Sequence, residues 1–209
     1  MHHIAVAGNI GSGKTTLTTL LAKHFNWEPM YESVENNPYL ASYYEDMQRW
    51  SFNLQVYFLN NRFRQVIDIR KKTKTVIQDR TIYEDAYIFA PNLHDMQLMA
   101  TRDFDNYSSL FELMSQFLQA PDLLIYLHAD TSTLVSQIAK RGREYERTIR
   151  LDYLENLNLR YEEWIHNYKL GKLLIIDVNK IKFAEKPEDL GIVIDKINAE
   201  LFGLFDQNL

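Results

Sequence analysis

Cysteine is absent from the 209 residues, which removes disulfides, thiolate metal sites and cysteine nucleophiles together and agrees with a reducing compartment. No uninterrupted apolar run reaches the roughly 18 residues that a membrane helix needs. Met1-His2-His3-Ile4-Ala5-Val6-Ala7 runs straight into an apolar strand, with no charged leader or arginine-rich presequence ahead of it. A soluble, cytoplasmic protein is expected. A broad basic surface is lacking as well: the net charge is −5 and the pI about 5.7, which argues against wrapping a nucleic-acid backbone. The expected partners are small molecules or other proteins, with no nucleic acid and no membrane. Internal repeats, low-complexity tracts and Gly/Ser/Pro-rich linkers are missing too. The length suits one full-sized core and is short for two, so a single domain over 1–209 is expected.

What is present reads as strands alternating with helices. Ile4 to Ala7 forms a first strand, followed by a glycine-rich turn and a helix from about Lys14 to Phe25. A second short strand is expected over Glu28 to Tyr31, ending at Glu32. A long helix follows from about Arg49 to Lys72, on which Val56, Leu59, Phe63 and Val66 share one face. Thr75 to Gln78 then leads into Asp79-Arg80. Leu123 to His128 and Leu173 to Asp177 are short apolar runs of the kind that parallel sheets bury on both faces. Five such strands with intervening helices predict a doubly wound α/β fold with a parallel five-stranded sheet flanked by helices. Ligands of such sheets bind beyond the carboxyl ends of the strands, and the glycine turn, Glu32 and Asp79-Arg80 all fall there.

Gly8-Asn9-Ile10-Gly11-Ser12-Gly13-Lys14-Thr15 satisfies G-x-x-x-x-G-K-[ST], between a strand and a helix as that motif requires. It is a phosphate-binding loop, or P-loop. Its glycines let backbone N–H groups converge on phosphate oxygens, and the helix N-terminus, where Thr16 follows, adds partial positive charge. Lys14 offers an ammonium to the β/γ oxygens, and Thr15 a hydroxyl to Mg²⁺. ATP and Mg²⁺ are therefore the expected cofactors. A GTPase would carry Asn-Lys-x-Asp; the nearest stretch, Asn179-Lys180-Ile181-Lys182, lacks the aspartate.

Phosphoryl transfer to an alcohol needs a base near the hydroxyl, cations on the moving charge and a pocket for the acceptor. Glu32 is placed to be the base or is an ordinary surface carboxylate. Asp79-Arg80-Thr81 offers a metal-shell carboxylate and a guanidinium, or a structural ion pair. Gln55 and Arg62 lie two helical turns apart and face one side; glutamine can present a donor and an acceptor to a nucleobase edge, and arginine a planar fork. Trp50, Phe52, Tyr57, Tyr83, Tyr87 and Phe89 are either core residues or stacking surfaces. The charged run Lys140-Arg141-Gly142-Arg143-Glu144-Tyr145-Glu146-Arg147, within about 137–150, is a solvated helix end or a lid that excludes water.

Taken together, the P-loop, Tyr31-Glu32, Trp50-Ser51-Phe52 through Gln55 to Arg62, Asp79-Arg80-Thr81-Ile82-Tyr83 through Asp85 to Phe89-Ala90, and Arg141-Gly142-Arg143 resemble the deoxynucleoside kinases over Gly8 to about Trp164. The resemblance implies ATP-dependent phosphorylation of a deoxynucleoside 5′-hydroxyl. Glu32 would be the general base with Arg80 as its cationic partner, Gln55 would bond the nucleobase, and Arg62 with Asp85 would complete base recognition. Tyr44 and Glu146 would hold the 3′-hydroxyl, and Arg141 and Arg143 would be lid arginines. Arg62 and Asp85 stand where thymidine-accepting members tend to have small or apolar residues, which implies purines or cytosine, deoxyadenosine first. A homodimer packed through long helices is also implied. Two positions depart from the pattern: Gln137, where a basic residue is frequent, and Asp79, where glutamate is. A nucleoside monophosphate kinase is disfavoured because Glu32 would repel an acceptor phosphate. A non-catalytic nucleotide-binding subunit is disfavoured by intact Lys14, Thr15, Glu32 and Arg80.

Overall fold

The structure, a computed structural model, describes residues 1–32 and 37–203. In chain order the elements are β1 (His3–Gly8), α1 (Lys14–Phe25), β2 (Glu28–Met30), α2 (Leu40–Glu45), α3 (Met47–Ile69), β3 (Val76–Asp79) and α4 (Ile82–Glu84). A π-helical segment, Asp85–Phe89, then runs into α5 (Ala90–Asp95), followed by α6 (Thr101–Ser115), β4 (Leu123–His128) and α7 (Thr131–Arg141). A 3₁₀ turn (Glu144–Thr148), α8 (Leu151–His166), β5 (Lys172–Asp177) and α9 (Pro187–Phe202) complete the described chain.

The strands form one sheet in the order β2-β3-β1-β4-β5, and every pairing is parallel. The expected α/β architecture is therefore observed. Strand β1 lies in the middle, with Ile4, Ala5, Val6 and Ala7 fully buried. Because side chains alternate across a strand, Ile4 and Val6 enter a cluster with Leu17 and Leu21 of α1, Leu134 of α7, and Val193 and Ile197 of α9. Ala5 and Ala7 face the other layer, with Tyr43, Leu54, Phe89, Leu157 and Tyr161. A third cluster joins Leu59 of α3 to Ile82, Tyr107 and Phe111, with Val56 and Phe63 packed against it. The chain goes one way from β1 to build β2 and β3 and the other way to build β4 and β5, so the crevice at such a reversal lies beyond Gly8.

Boundaries differ from expectation in ways the local bonds explain. Helix α3 starts at Met47 rather than Arg49 because Asp46 caps it, its carboxylate accepting from the Arg49 N–H at 3.0 Å. It ends at Ile69, beyond which the Lys71 and Lys72 N–H groups turn back to Asp68 and Ile69. Strand β2 ends at Met30 rather than Tyr31, where its register with Gln78 stops. The 137–150 region is the end of α7, Gly142 and the 3₁₀ turn.

One carboxylate locks the crevice. Glu84 is fully buried and accepts from the Gly8 N–H at 3.2 Å, the Tyr161 hydroxyl at 2.7 Å and the Thr81 N–H at 2.7 Å. It ties the start of the P-loop to the turn after β3 and to α8. Replacing Tyr161 by Phe should lower unfolding free energy by about 1.5–3 kcal/mol, the usual worth of a hydrogen bond to a charged group. A urea unfolding midpoint equal to that of the unmodified chain would contradict this assignment.

Candidate active site

A cavity of about 910 Å³ opens beyond the carboxyl ends of β1, β2 and β3. The P-loop forms one end of it. Ile10, Gly11, Gly13, Lys14, Thr15 and Thr16 face the cavity, whereas Gly8, Asn9 and Ser12 do not and instead hold the loop's shape. The Asn9 amide donates to the Leu154 carbonyl at 3.1 Å and to Asn158 at 2.7 Å, and its Oδ1 accepts from the Ile10 N–H. Gly11 has φ +85°, and a Cβ there would sit 2.9 Å from the Leu134 carbonyl and 2.8 Å from Ile138. Only glycine lets the loop lie this close to α7.

Lys14 reaches back to the Asn9 carbonyl at 3.0 Å. Burial, with Arg80 adding to it, pulls its ammonium down to about 7. A phosphate placed beside it would oppose both effects. The Thr15 hydroxyl donates to Asp79 Oδ2 at 2.5 Å, and Asp79 Oδ1 is buried with no hydrogen-bond partner. Burial raises the Asp79 carboxyl above the usual range. A hydroxyl and a free carboxylate oxygen beside the loop are hard oxygen donors of the kind Mg²⁺ takes, alongside phosphate oxygens and water. These residues fit that ion.

Opposite the loop sits a buried charge cluster. Arg62 donates to Glu32 Oε1 at 2.6 Å and, through Nε, to Asp85; Arg80 Nε lies 3.6 Å from the same Glu32 oxygen. Arg80 takes φ +69°, sparsely populated for a residue with a Cβ. Its N–H still bonds the Val6 carbonyl at 2.9 Å, and its guanidinium lies 4.4 Å from the centre of the Phe89 ring. Burial would raise the Glu32 carboxyl, but Arg80 and then Arg62 and Lys14 outweigh it and hold it down at about 2. For Asp85 the balance reverses, and burial outweighs Arg62 and Arg80 and pushes it up to about 6. Arg62 does not face the cavity; it is 2% exposed and stands behind Glu32 and Asp85, which do.

Gln55 lines the cavity and is buried, with Oε1 unpartnered. An orphaned buried acceptor facing a cavity is suited to a ligand donor. Of the aromatics, Tyr57 and Phe89 line the cavity, together with Phe58, which sequence reading missed. Phe52 and Tyr83 pack in the third cluster, Trp50 packs against the second, and Tyr87 is exposed. Tyr44 and Glu146 both border the cavity. The Tyr145 ring stacks on Tyr44 with centroids 5.5 Å apart, docking the 3₁₀ turn against α2. Arg141 binds Glu146 through two nitrogens, at 2.5 and 3.0 Å, and Arg143 approaches the same carboxylate at 3.5 Å. Gln137 and Lys140 also border the cavity, but the Lys140 ammonium pairs with Glu185 at 2.7 Å. Sequence reading missed Glu84 and Asn158 as well. The Thr81-x-x-Glu84 spacing, a capping-box pattern, could have revealed the first; nothing in the sequence marks the second.

A parallel sheet wound this way, with a P-loop facing an arginine-clamped carboxylate, defines a P-loop phosphotransferase. The sequence model described as deoxynucleoside kinase matches residues 4–202. The chain belongs to the deoxynucleoside kinase family. It is 38% identical over 196 residues to the deoxyadenosine/deoxycytidine kinase of Bacillus subtilis (strain 168), covering 93% of this chain and 90% of that one. It is also 38% identical to the deoxyadenosine kinase of Dictyostelium discoideum, over 96% of this chain and 85% of that one. The structure of deoxyadenosine kinase from M. mycoides with bound dATP superposes with a TM-score of 0.83 at 30% identity, over 95% of this chain and 100% of that one.

Removing one partner of a buried ion pair strands the other. Arg62→Leu should therefore lower stability by about 3–5 kcal/mol, and Arg62→Met combined with Asp85→Ala should recover part of that loss. Denaturant titration of both variants checks this, and a single mutant as stable as the unmodified chain would contradict it.

Proposed function

We propose that the chain transfers the γ-phosphoryl group of ATP to the 5′-hydroxyl of a purine deoxynucleoside, deoxyadenosine first, in the cytoplasm. It works as one domain, with residues 137–150 as lid, and as a homodimer packed through its long helices. The observation that carries the reading is the facing pair within one cavity: a P-loop at one end and Glu32, held ionised by two arginines, across from it. The relatives include deoxyadenosine, deoxyguanosine and deoxycytidine kinases, and the similar solved structures are of a deoxyadenosine kinase.

The geometry supports the following roles, several of them carried over from the resemblance to the family. Backbone N–H groups of Gly11, Gly13, Lys14, Thr15 and Thr16 and the Lys14 ammonium receive the triphosphate. Thr15 and Asp79 would hold Mg²⁺, which supplies neutralisation of charge on the β/γ oxygens. Gln55 meets the nucleobase with its unpartnered oxygen, which suits an exocyclic amine such as that of adenine. Asp85 completes the base pocket and Arg62 fixes Asp85 from behind. Tyr44 and Glu146 border the sugar side, and Arg141 and Arg143 supply lid cations. Glu32 accepts the 5′-hydroxyl hydrogen bond and takes its proton. A carboxylate held at about 2 is a weak base, which fits a loose transition state in which little bonding to the nucleophile has developed. Its first task is to orient the hydroxyl, with Arg80 beside it facing the transferring group.

Glu32→Gln should keep ATP and nucleoside binding and lose about 10²- to 10⁴-fold in turnover; ATP consumption with the four deoxynucleosides in parallel measures both this and the base preference. Undiminished turnover refutes the base. Arg62→Met with Asp85→Ala should shift preference toward thymidine, and unaltered base selectivity would reject Asp85 as part of the base pocket.

A further inference from the structure

Glu32 lies two residues past the end of β2, so the strand ladder does not fix its backbone. Arg62 holds its side chain from α3. One turn further along the same helix, the Gln65 amide donates to the Tyr31 carbonyl at 2.8 Å, gripping the peptide group that joins Tyr31 to Glu32. Gln65 Oε1 in turn accepts from the Gln78 amide at 3.0 Å, and Gln78 Oε1 meets His3 Nε2 at 3.0 Å. The Tyr31 hydroxyl meets Thr19 of α1 at 3.1 Å, anchoring the other side of that residue.

The direction of this chain of bonds is set from one end. A carbonyl only accepts, so Gln65 turns its NH₂ toward Tyr31 and its oxygen toward Gln78. Gln78 then donates with its NH₂ and accepts with its oxygen, and His3 is left to donate from Nε2. Burial pulls the His3 pKa below the usual histidine value, against the opposing pull of Gln78 and Asp122; neutral or charged, it can donate. Head-to-tail bonds of this kind reinforce one another. Gln78 is 1% exposed on β3, directly after Val76 and Ile77, and an apolar residue there would avoid burying an amide. Neither Gln65 nor Gln78 lines the cavity.

We propose that Gln65 is a positioning residue for the base, braced by Gln78 and His3, and that this relay sets where the Glu32 carboxylate meets the acceptor hydroxyl. The inference rests on the reading of Glu32 as the base. The carboxylate is faced by Lys14 from α1, Arg62 from α3, Asp79 and Arg80 from β3 and the turn after it, Asp85 from the π-helical segment, and Tyr145 from the 3₁₀ turn. Slackening the Tyr31–Glu32 peptide loosens its hold on Arg62 and Arg80, which leaves the carboxylate less stabilised and its pKa higher.

The test uses Gln65→Leu and Gln78→Leu in the full chain, assayed with ATP and deoxyadenosine beside Glu32→Gln. In Gln65→Leu, kcat should fall about 10- to 100-fold, the scale of a misplaced reacting group, while KM for ATP stays put; the Gln78 amide left unpaired should lower the thermal midpoint by about a few degrees. Gln78→Leu should follow in the same direction with a smaller loss. In both, the acid limb of kcat/KM should move to higher pH, which a loss of stability alone does not produce. The inference is overturned if kcat and the acid limb of both variants match the unmodified enzyme, or if turnover falls only together with ATP affinity. Should Glu32→Gln keep full turnover, the reading of the base fails first. Should it lose turnover while both leucine variants keep theirs, the relay alone fails.

Discussion

A carboxylate that shares a cavity with a phosphate loop faces charge of its own sign as soon as a nucleotide arrives. The structure answers this by placing Arg62 and Arg80 against Glu32 before any ligand is needed, with Asp85 as a second anchor for Arg62. At close range and away from bulk water, such pairs carry more weight than surface ion pairs. Much of the fold can be read as support for this cluster. Helix α3 supplies Arg62, and the unusual backbone at Arg80 turns a strand-end residue into the cavity. Glu84 holds the turn that follows. Because the Arg62 guanidinium bonds both Glu32 and Asp85, removing it takes a partner from two buried carboxylates at once.

The parts of the fold visible in the sequence are those with local signatures. Strand β4 and helix α1 were read with their observed boundaries, since an apolar run and a glycine-to-lysine loop announce themselves within a few residues. The strand end at Met30, the short helix α2 and the π-helical segment were not, because each depends on partners far along the chain. The same division runs through the site. Lys14, Thr15, Asp79, Glu32, Gln55 and Asp85 were named from motif and resemblance and all border the cavity. That Arg62 would stand behind the wall and reach Glu32, 30 positions away in sequence, no periodicity could state. Aromatic residues were the least legible. Tyr83 and Phe89 sit six apart, yet the first packs only against the third cluster, while the second belongs to the second cluster and also lines the cavity.

Amides in the interior tell a related story. Gln55 and Gln78 are both buried, and Gln78 is joined to the partly buried Gln65. Gln55 keeps a free acceptor toward the cavity. Polar side chains buried next to a site divide into those that bond the protein and those left open for something else, and only coordinates separate the two groups.

The close seating of Gly11 on Leu134 and Ile138 has a mechanical corollary. A loop in van der Waals contact with the body of α7 cannot part from that helix without opening a gap, so the two behave as one block. Gly142, by contrast, has φ +70° and open space around it. Within the proposed 137–150 lid, any swing therefore pivots there, so that the travelling part is the segment after Gly142, with Arg143 and Glu146, and Arg141 offers its cation from the fixed helix end.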